Sequence, residues 1–250
     1  MIGSTAIQRG RTAAYVPALM EVAGVTKRYG EQRALTDVSF GVNAGEVLGL
    51  IGPNGAGKTT LLEAIAGLLP VDDGRILWRG TPPALLHRRD FMFYLPDGLR
   101  PWDDEYVARL LEFFAAAYGR PAALAAEAIG TLGLAPALRK QVGALSKGYC
   151  RRLMLALALI APQPLLLMDE PFDGFDLRQT REIMAVLRDV AGSGRTLVLA
   201  VHQLLDAERV CDRFVLLVDG RIRGAGTLAE LRARTGLAEA GLEEVFLALT

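Results

Sequence analysis

The chain has 250 residues, 28 basic and 28 acidic, so no net charge steers it toward nucleic acid or an anionic bilayer. With 51% hydrophobic residues it can bury one large α/β core, and its two cysteines, Cys150 and Cys211, argue against a disulfide scaffold or a zinc cluster and read as small buried hydrophobes in a reducing compartment. The longest apolar stretch, Leu153 to Met168, is interrupted by Pro162, Gln163 and Pro164 and falls short of the roughly 20 apolar residues that cross a bilayer.

Residues 1–20 mix Arg9 and Arg11 with Gly, Ser, Thr and Ala, lack the apolar segment of a secretory signal, and read as a flexible extension before a folded domain over residues 21–250. Alternating apolar residues from Val22 to Tyr29 and from Ala34 to Val42 predict antiparallel strands joined at Gly30-Glu31. Tyr29, at the end of the first, has a ring that could stack on a purine, although a strand tyrosine is more often half-buried packing.

Val47 to Ile51 is an apolar run that reads as a buried strand, and Leu61, Leu62, Ile65, Leu68 and Leu69 follow at helical spacing until Gly67 and Pro70 stop them. Between strand and helix lies Gly52-Pro53-Asn54-Gly55-Ala56-Gly57-Lys58-Thr59-Thr60. Gly52, Gly55 and Gly57 remove the Cβ atoms that would block an anion and permit positive φ, so that backbone N–H groups can converge on phosphate at a helix N-terminus. Lys58 supplies a point charge for the terminal phosphates, and the Thr59 hydroxyl is placed to coordinate Mg²⁺. The nucleotide contacts expected here are Gly52, Asn54, Gly55, Ala56, Gly57, Lys58, Thr59 and Thr60.

Turn residues around Val71 to Gly80 enclose a short strand, and Phe91 to Leu95 forms another, ending at Pro96-Asp97. From Asp103 to Leu138 the pattern turns helical, with Val107, Leu110, Leu111 and Phe114 on one face, as expected of a helical insert over about 98–160. Ser146 is a candidate N-cap for the apolar helix beginning near Arg151, which makes Leu145-Ser146-Lys147-Gly148-Tyr149 a second helix N-terminus able to face phosphate.

Leu165 to Met168 reads as a strand buried on both faces, and two carboxylates, Asp169 and Glu170, follow it at once. Asp169 suits a Mg²⁺ ligand and Glu170 a base that polarises water. Thr196 to Val201 is a further buried strand ending at His202, and Phe214 to Gly224 reads as a hairpin turning at Asp219-Gly220. Lys58, Asp97, Glu170 and His202 thus each follow the carboxyl end of an apolar strand, the edge of a parallel sheet at which ligands bind.

This set of motifs, over Glu21 to Thr250, resembles the nucleotide-binding subunit of ATP-binding-cassette (ABC) transporters. The resemblance assigns Gly52 to Thr60 to the Walker A loop, Leu165 to Glu170 to the Walker B strand, and Leu145 to Tyr149 to the signature. Tyr29 becomes the base-stacking aromatic, Gly174-Phe175-Asp176 the D-loop and His202 the switch histidine. It implies a P-loop NTPase of ABC type, α/β, with an antiparallel β-subdomain and a helical subdomain. It also implies a head-to-tail dimer binding ATP and Mg²⁺, in which Ser146 and Gly148 of one subunit reach the γ-phosphate held by the other. Motion between the two would drive a separate integral membrane permease, with the chain peripheral at the cytoplasmic face. Leu242 to Thr250 is similar to the tail of cassettes serving exporters.

Three residues depart from the family pattern. Asp97 stands where glutamine is usual, still able to bind Mg²⁺ but repelled by phosphate and Glu170. Lys147 and Tyr149 replace glycine and glutamine, and Lys147 is unfavourable at a positive helix end, a cost that a partner's γ-phosphate could offset. The rival readings are a soluble cassette ATPase of repair or assembly and a regulatory module that binds ATP but barely hydrolyses it.

Overall fold

The computed structural model describes residues 18–250, so the expected N-terminal extension falls almost entirely outside the described residues. Two kinds of hydrophobic pattern give two kinds of sheet. In β1 (Met20–Tyr29) and β2 (Gln32–Val42) buried and exposed residues intermix, and the two strands pair antiparallel from Tyr29 opposite Gln32. After β3 (Val47–Ile51) and α1 (Lys58–Ala66), β4 (Asp73–Trp78) returns antiparallel to the other edge of β1, giving the order β2-β1-β4.

The second sheet takes the unbroken apolar runs. Its strands β5 (Met92–Leu95), β6 (Leu165–Asp169), β7 (Thr196–Val201), β8 (Arg213–Val218) and β9 (Arg221–Gly226) stand with β3 in the order β5-β6-β7-β3-β8-β9. All pairs are parallel except the closing hairpin of β8 and β9. Every residue of β3, β6 and β7 is buried, because helices or the other sheet cover both faces.

Successive side chains sort to opposite sides with period two. Leu48, Leu50, Leu167 and Val198 meet Leu61, Leu62 and Ile65 of α1 and Val22, Leu35 and Val38 of the antiparallel sheet, so α1 is held between the two sheets. Ile51, Leu166, Met168, Leu197 and Leu199 face the opposite layer. That layer includes α2 (Val107–Ala117), α3 (Ala122–Thr131) and α4 (Lys147–Ile160), all lying between β5 and β6 in the chain. It continues with α5 (Leu177–Gly192), α6 (Leu204–Val210), α7 (Leu228–Thr235) and α8 (Leu242–Leu249). Among the described residues no helix is long and apolar enough to cross a membrane.

The β8–β9 turn fastens the two sheets beside the end of β3. Asp219 and Gly220 both have positive φ, 49° and 68°, as a two-residue turn with the right-handed twist of its strands requires. Gly220 donates its N–H to the Ala56 carbonyl (3.1 Å) and accepts from the Thr36 N–H (2.8 Å). A Cβ at Gly220 would overlap the Ala34 carbonyl. Gly220→Ala is therefore expected to cost about 2 kcal/mol or more, the left-handed conformation and the overlap acting together, measured as a lower urea midpoint with unchanged slope.

Candidate functional site

The end of β3 passes through the glycine-rich loop into α1, whose N-cap is Gly57 (φ 102°). No side chain caps this helix and no acidic residue occupies its first turn, so its first N–H groups and the positive end of its dipole remain available to an anion. Lys58 is only 7% exposed. Its Nζ donates to the carbonyls of Gly52 (2.8 Å) and Pro53 (3.3 Å) and lies 4.0 Å from Glu170 Oε1.

The three loop glycines do different things. Gly55, with φ 82°, has open space where a Cβ would be and faces the cleft. A Cβ at Gly52 would overlap the Leu217 carbonyl, and one at Gly57 would come within 2.7 Å of the Ala34 oxygen. Packing against β8 and β2 therefore requires Gly52 and Gly57, a demand beyond the clearance for phosphate and the positive φ read from the sequence, the latter of which Gly57 adopts.

Across the loop, Thr59 Oγ1 donates to Asp169 Oδ2 at 2.6 Å. Asp169 is 2% exposed, and burial pushes its carboxyl above the usual range, while the Thr59 hydroxyl and the nearby Lys58 and Arg151 charges work against that rise. Glu170 Oε2 is 2.6 Å from His202 Nδ1. Glu170 itself adopts φ 49°, a left-handed conformation rare for a residue with a side chain.

These groups surround a cleft of about 500 Å³. Tyr29, Asn54, Gly55, Gly57, Lys58, Thr59, Thr60, Asp97, Asp169 and Glu170 line it, and His202 joins through its bond to Glu170. Gly52 and Ala56 do not line it: Ala56 is buried, and Gly52 offers only its carbonyl to Lys58. Gln32, Arg33 and Asp219, which line it too, carry no motif in the sequence; Gln32 and Arg33 open β2 of one sheet and Asp219 stands in the β8–β9 turn of the other.

Ser146 and Gly148 lie elsewhere, in a second cleft of about 530 Å³ that includes Gly174 and Asp176. Ser146 is the N-cap of α4, its hydroxyl oxygen accepting from the Tyr149 N–H (3.4 Å). The offset for Lys147 comes from inside the chain: its Nζ is 2.7 Å from Asp173 Oδ2, and this contact holds the Asp173 carboxyl below the usual range.

Asp97 also has a partner that sequence reading missed. Arg151, buried on α4, donates to Asp97 Oδ1 at 3.0 Å. Its signal in the sequence is an arginine among the apolar residues of a helix, one turn after Lys147. Tyr94 on β5 was missed as well: its hydroxyl is buried and has no partner among the described residues, and burial followed by the charges of Asp169, Glu63 and Asp97 pushes the phenol up.

The glycine assignments separate by experiment. Gly52→Ala should lower the melting temperature of the nucleotide-free protein by about 5 °C or more through its backbone overlap. Gly55→Ala, costing about 1 kcal/mol of backbone strain, should shift it far less yet weaken ATP binding at least about tenfold, read by calorimetric titration.

The profile of the family described as ABC transporter matches residues 35–173. The chain is 38% identical over 221 residues to Nod factor export ATP-binding protein I of Ralstonia nicotianae, covering 85% of this chain and 68% of that protein. It is 38% identical over 227 residues to Fe(3+) ions import ATP-binding protein FbpC of Streptomyces coelicolor, covering 87% and 64%. It superposes on a solved ATP-binding subunit of an ABC transporter with TM-score 0.84 and 32% identity, covering 93% of this chain and 99% of that one. A glycine-rich loop over a buried lysine, two carboxylates and a histidine at the ends of parallel strands, and these likenesses agree: the chain belongs to the ABC transporter family, as an ATP-binding, ATP-hydrolysing subunit.

Proposed function

We propose that ATP hydrolysis by this chain drives export of a solute through a separate membrane permease, two cassettes closing head-to-tail on ATP and opening after hydrolysis. The observation that carries the reading is the meeting of Lys58, Glu170 and His202 at one cleft while Ser146 and Gly148 face out at another. A triphosphate in the first cleft then needs a second copy to bring it the N-terminus of α4. Residues 98–160 would act as the helical arm that presents this end. The export direction rests on the exporter-like closing segment, Leu242 to Thr250. The chain would sit at the cytoplasmic face of the membrane, held there by its permease.

In this reading Tyr29, half exposed at the rim of the cleft, stacks on the adenine, and the loop N–H groups with Lys58 hold the phosphates. Glu170 takes a proton from water as the water oxygen bonds to the γ-phosphorus and the bond to the β–γ bridging oxygen breaks, giving ADP and inorganic phosphate. His202 holds the Glu170 carboxylate in place.

The donors present fit Mg²⁺. Asp169 is a buried carboxylate whose one side-chain hydrogen bond among the described residues comes from Thr59. Among the described residues no three His, Cys, Asp or Glu side chains gather as a metal site. A hard cation held by one or two protein oxygens and the nucleotide's phosphates suits such a set. Thr59 and Asp169 would hold it, with Asp97 in the same cleft. Bound there, the ion neutralises charge on the phosphate oxygens.

Mg²⁺-dependent ATPase activity of the purified chain tests the reading. Glu170→Gln should lower turnover at least about 100-fold while ATP is still bound, and should accumulate an ATP-dependent dimer by light scattering. Undiminished turnover in that variant would remove Glu170 as the base, and a monomer at saturating ATP would remove the two-cassette mechanism.

A further inference from the structure

Arg151 is 7% exposed, yet its guanidinium carries a full charge. It donates through Nη2 to Asp97 Oδ1 (3.0 Å), to the Asp169 carbonyl (3.0 Å) and to the Glu170 carbonyl, and through Nη1 to the Pro96 carbonyl at 3.5 Å. One side chain of α4 thus gathers the ends of β5 and β6. The Glu170 peptide it grips is strained, with φ 49°, and is tied on its other side by the Glu170 N–H donating to the Ala200 carbonyl (3.0 Å). The direction of the Glu170 side chain toward His202 follows from that backbone conformation.

We propose that Arg151 is a positioning residue for hydrolysis: its guanidinium holds the Asp169–Glu170 peptide so that the Glu170 carboxylate faces the cleft, and Asp97 holds Arg151 there. Three of these acceptors meet at the one nitrogen Nη2 and the fourth at Nη1; a lysine ammonium keeps the charge but ends one bond short of Nη2 and has no second nitrogen. This gives Asp97 a reason to differ from the family's glutamine, since a neutral amide would remove the carboxylate paired with the buried guanidinium at 3.0 Å. Lys147, one turn earlier on α4, grips the far flank of the same turn through Asp173 at 2.7 Å.

The proposal rests on Glu170 acting as the base, and its test has a part that does not. In nucleotide-free protein, Asp97→Asn should lower the melting temperature by about 4 °C or more, and add little further in an Arg151→Met background. In turnover, Arg151→Lys should lower kcat at least about tenfold with KM for ATP within about threefold, because the base is misdirected while the phosphate loop is untouched. If Arg151→Met does not fold, Arg151→Lys and Asp97→Asn in the same measurements carry the test. Wild-type kcat in folded Arg151→Lys, or additive melting shifts for Asp97 and Arg151, would overturn it. Turnover that survives Glu170→Gln would instead sink the base assignment and leave the nucleotide-free coupling as the test of Arg151.

Discussion

The buried ammonium of Lys58 is the constraint on which the cleft depends. A charge this shielded from water must be met by oxygen atoms, and the chain meets it with the carbonyls of Gly52 and Pro53 and with Glu170 at 4.0 Å. Closing the loop over the lysine brings Gly52 against Leu217 and Gly57 against Ala34, so both positions exclude a Cβ. The same loop starts α1 without a side-chain cap, and the result is a positive, N–H-rich surface on rigid supports.

Around this centre, charges that look misplaced in the sequence are paired within the chain. Lys147 at the start of α4 meets Asp173, and Asp97 meets Arg151. Both cations stand on one helix, a turn apart, and both carboxylates stand on loops that follow strands of the parallel sheet. The helical segment between β5 and β6 is therefore joined to the strand ends that border the cleft by ion pairs as well as by apolar packing. Motion of that segment would be felt at Glu170 through Arg151.

Asp169 and Glu170 are adjacent in sequence but sit in different surroundings. Asp169 is the last residue of β6, enclosed and bonded to the Thr59 hydroxyl. The left-handed turn at Glu170 swings the next side chain out to His202. The proposed roles divide accordingly: a metal ligand would gain from the fixed position of the first, and a base from the access to water of the second.

The order of elements, the parallel arrangement of the apolar strands and the phosphate loop were legible in the sequence, because each rests on local physics: period-two or unbroken apolar runs, glycines that permit positive φ, and a lysine at a helix start. The cluster of Lys58, Asp97 and Glu170 followed from one topological rule about strand ends. The partners of Asp97 and Lys147, the packing demands behind Gly52 and Gly57, the places of Gln32, Arg33 and Asp219 in the cleft, the buried hydroxyl of Tyr94 and the contacts of Arg151 were decided by the tertiary structure alone. Asp97 and Arg151 are separated by 54 residues, and no local pattern encodes which carboxylate a buried guanidinium will find. That choice is made when α4 packs against the sheet and the guanidinium, leaving water, must take the acceptors within its reach.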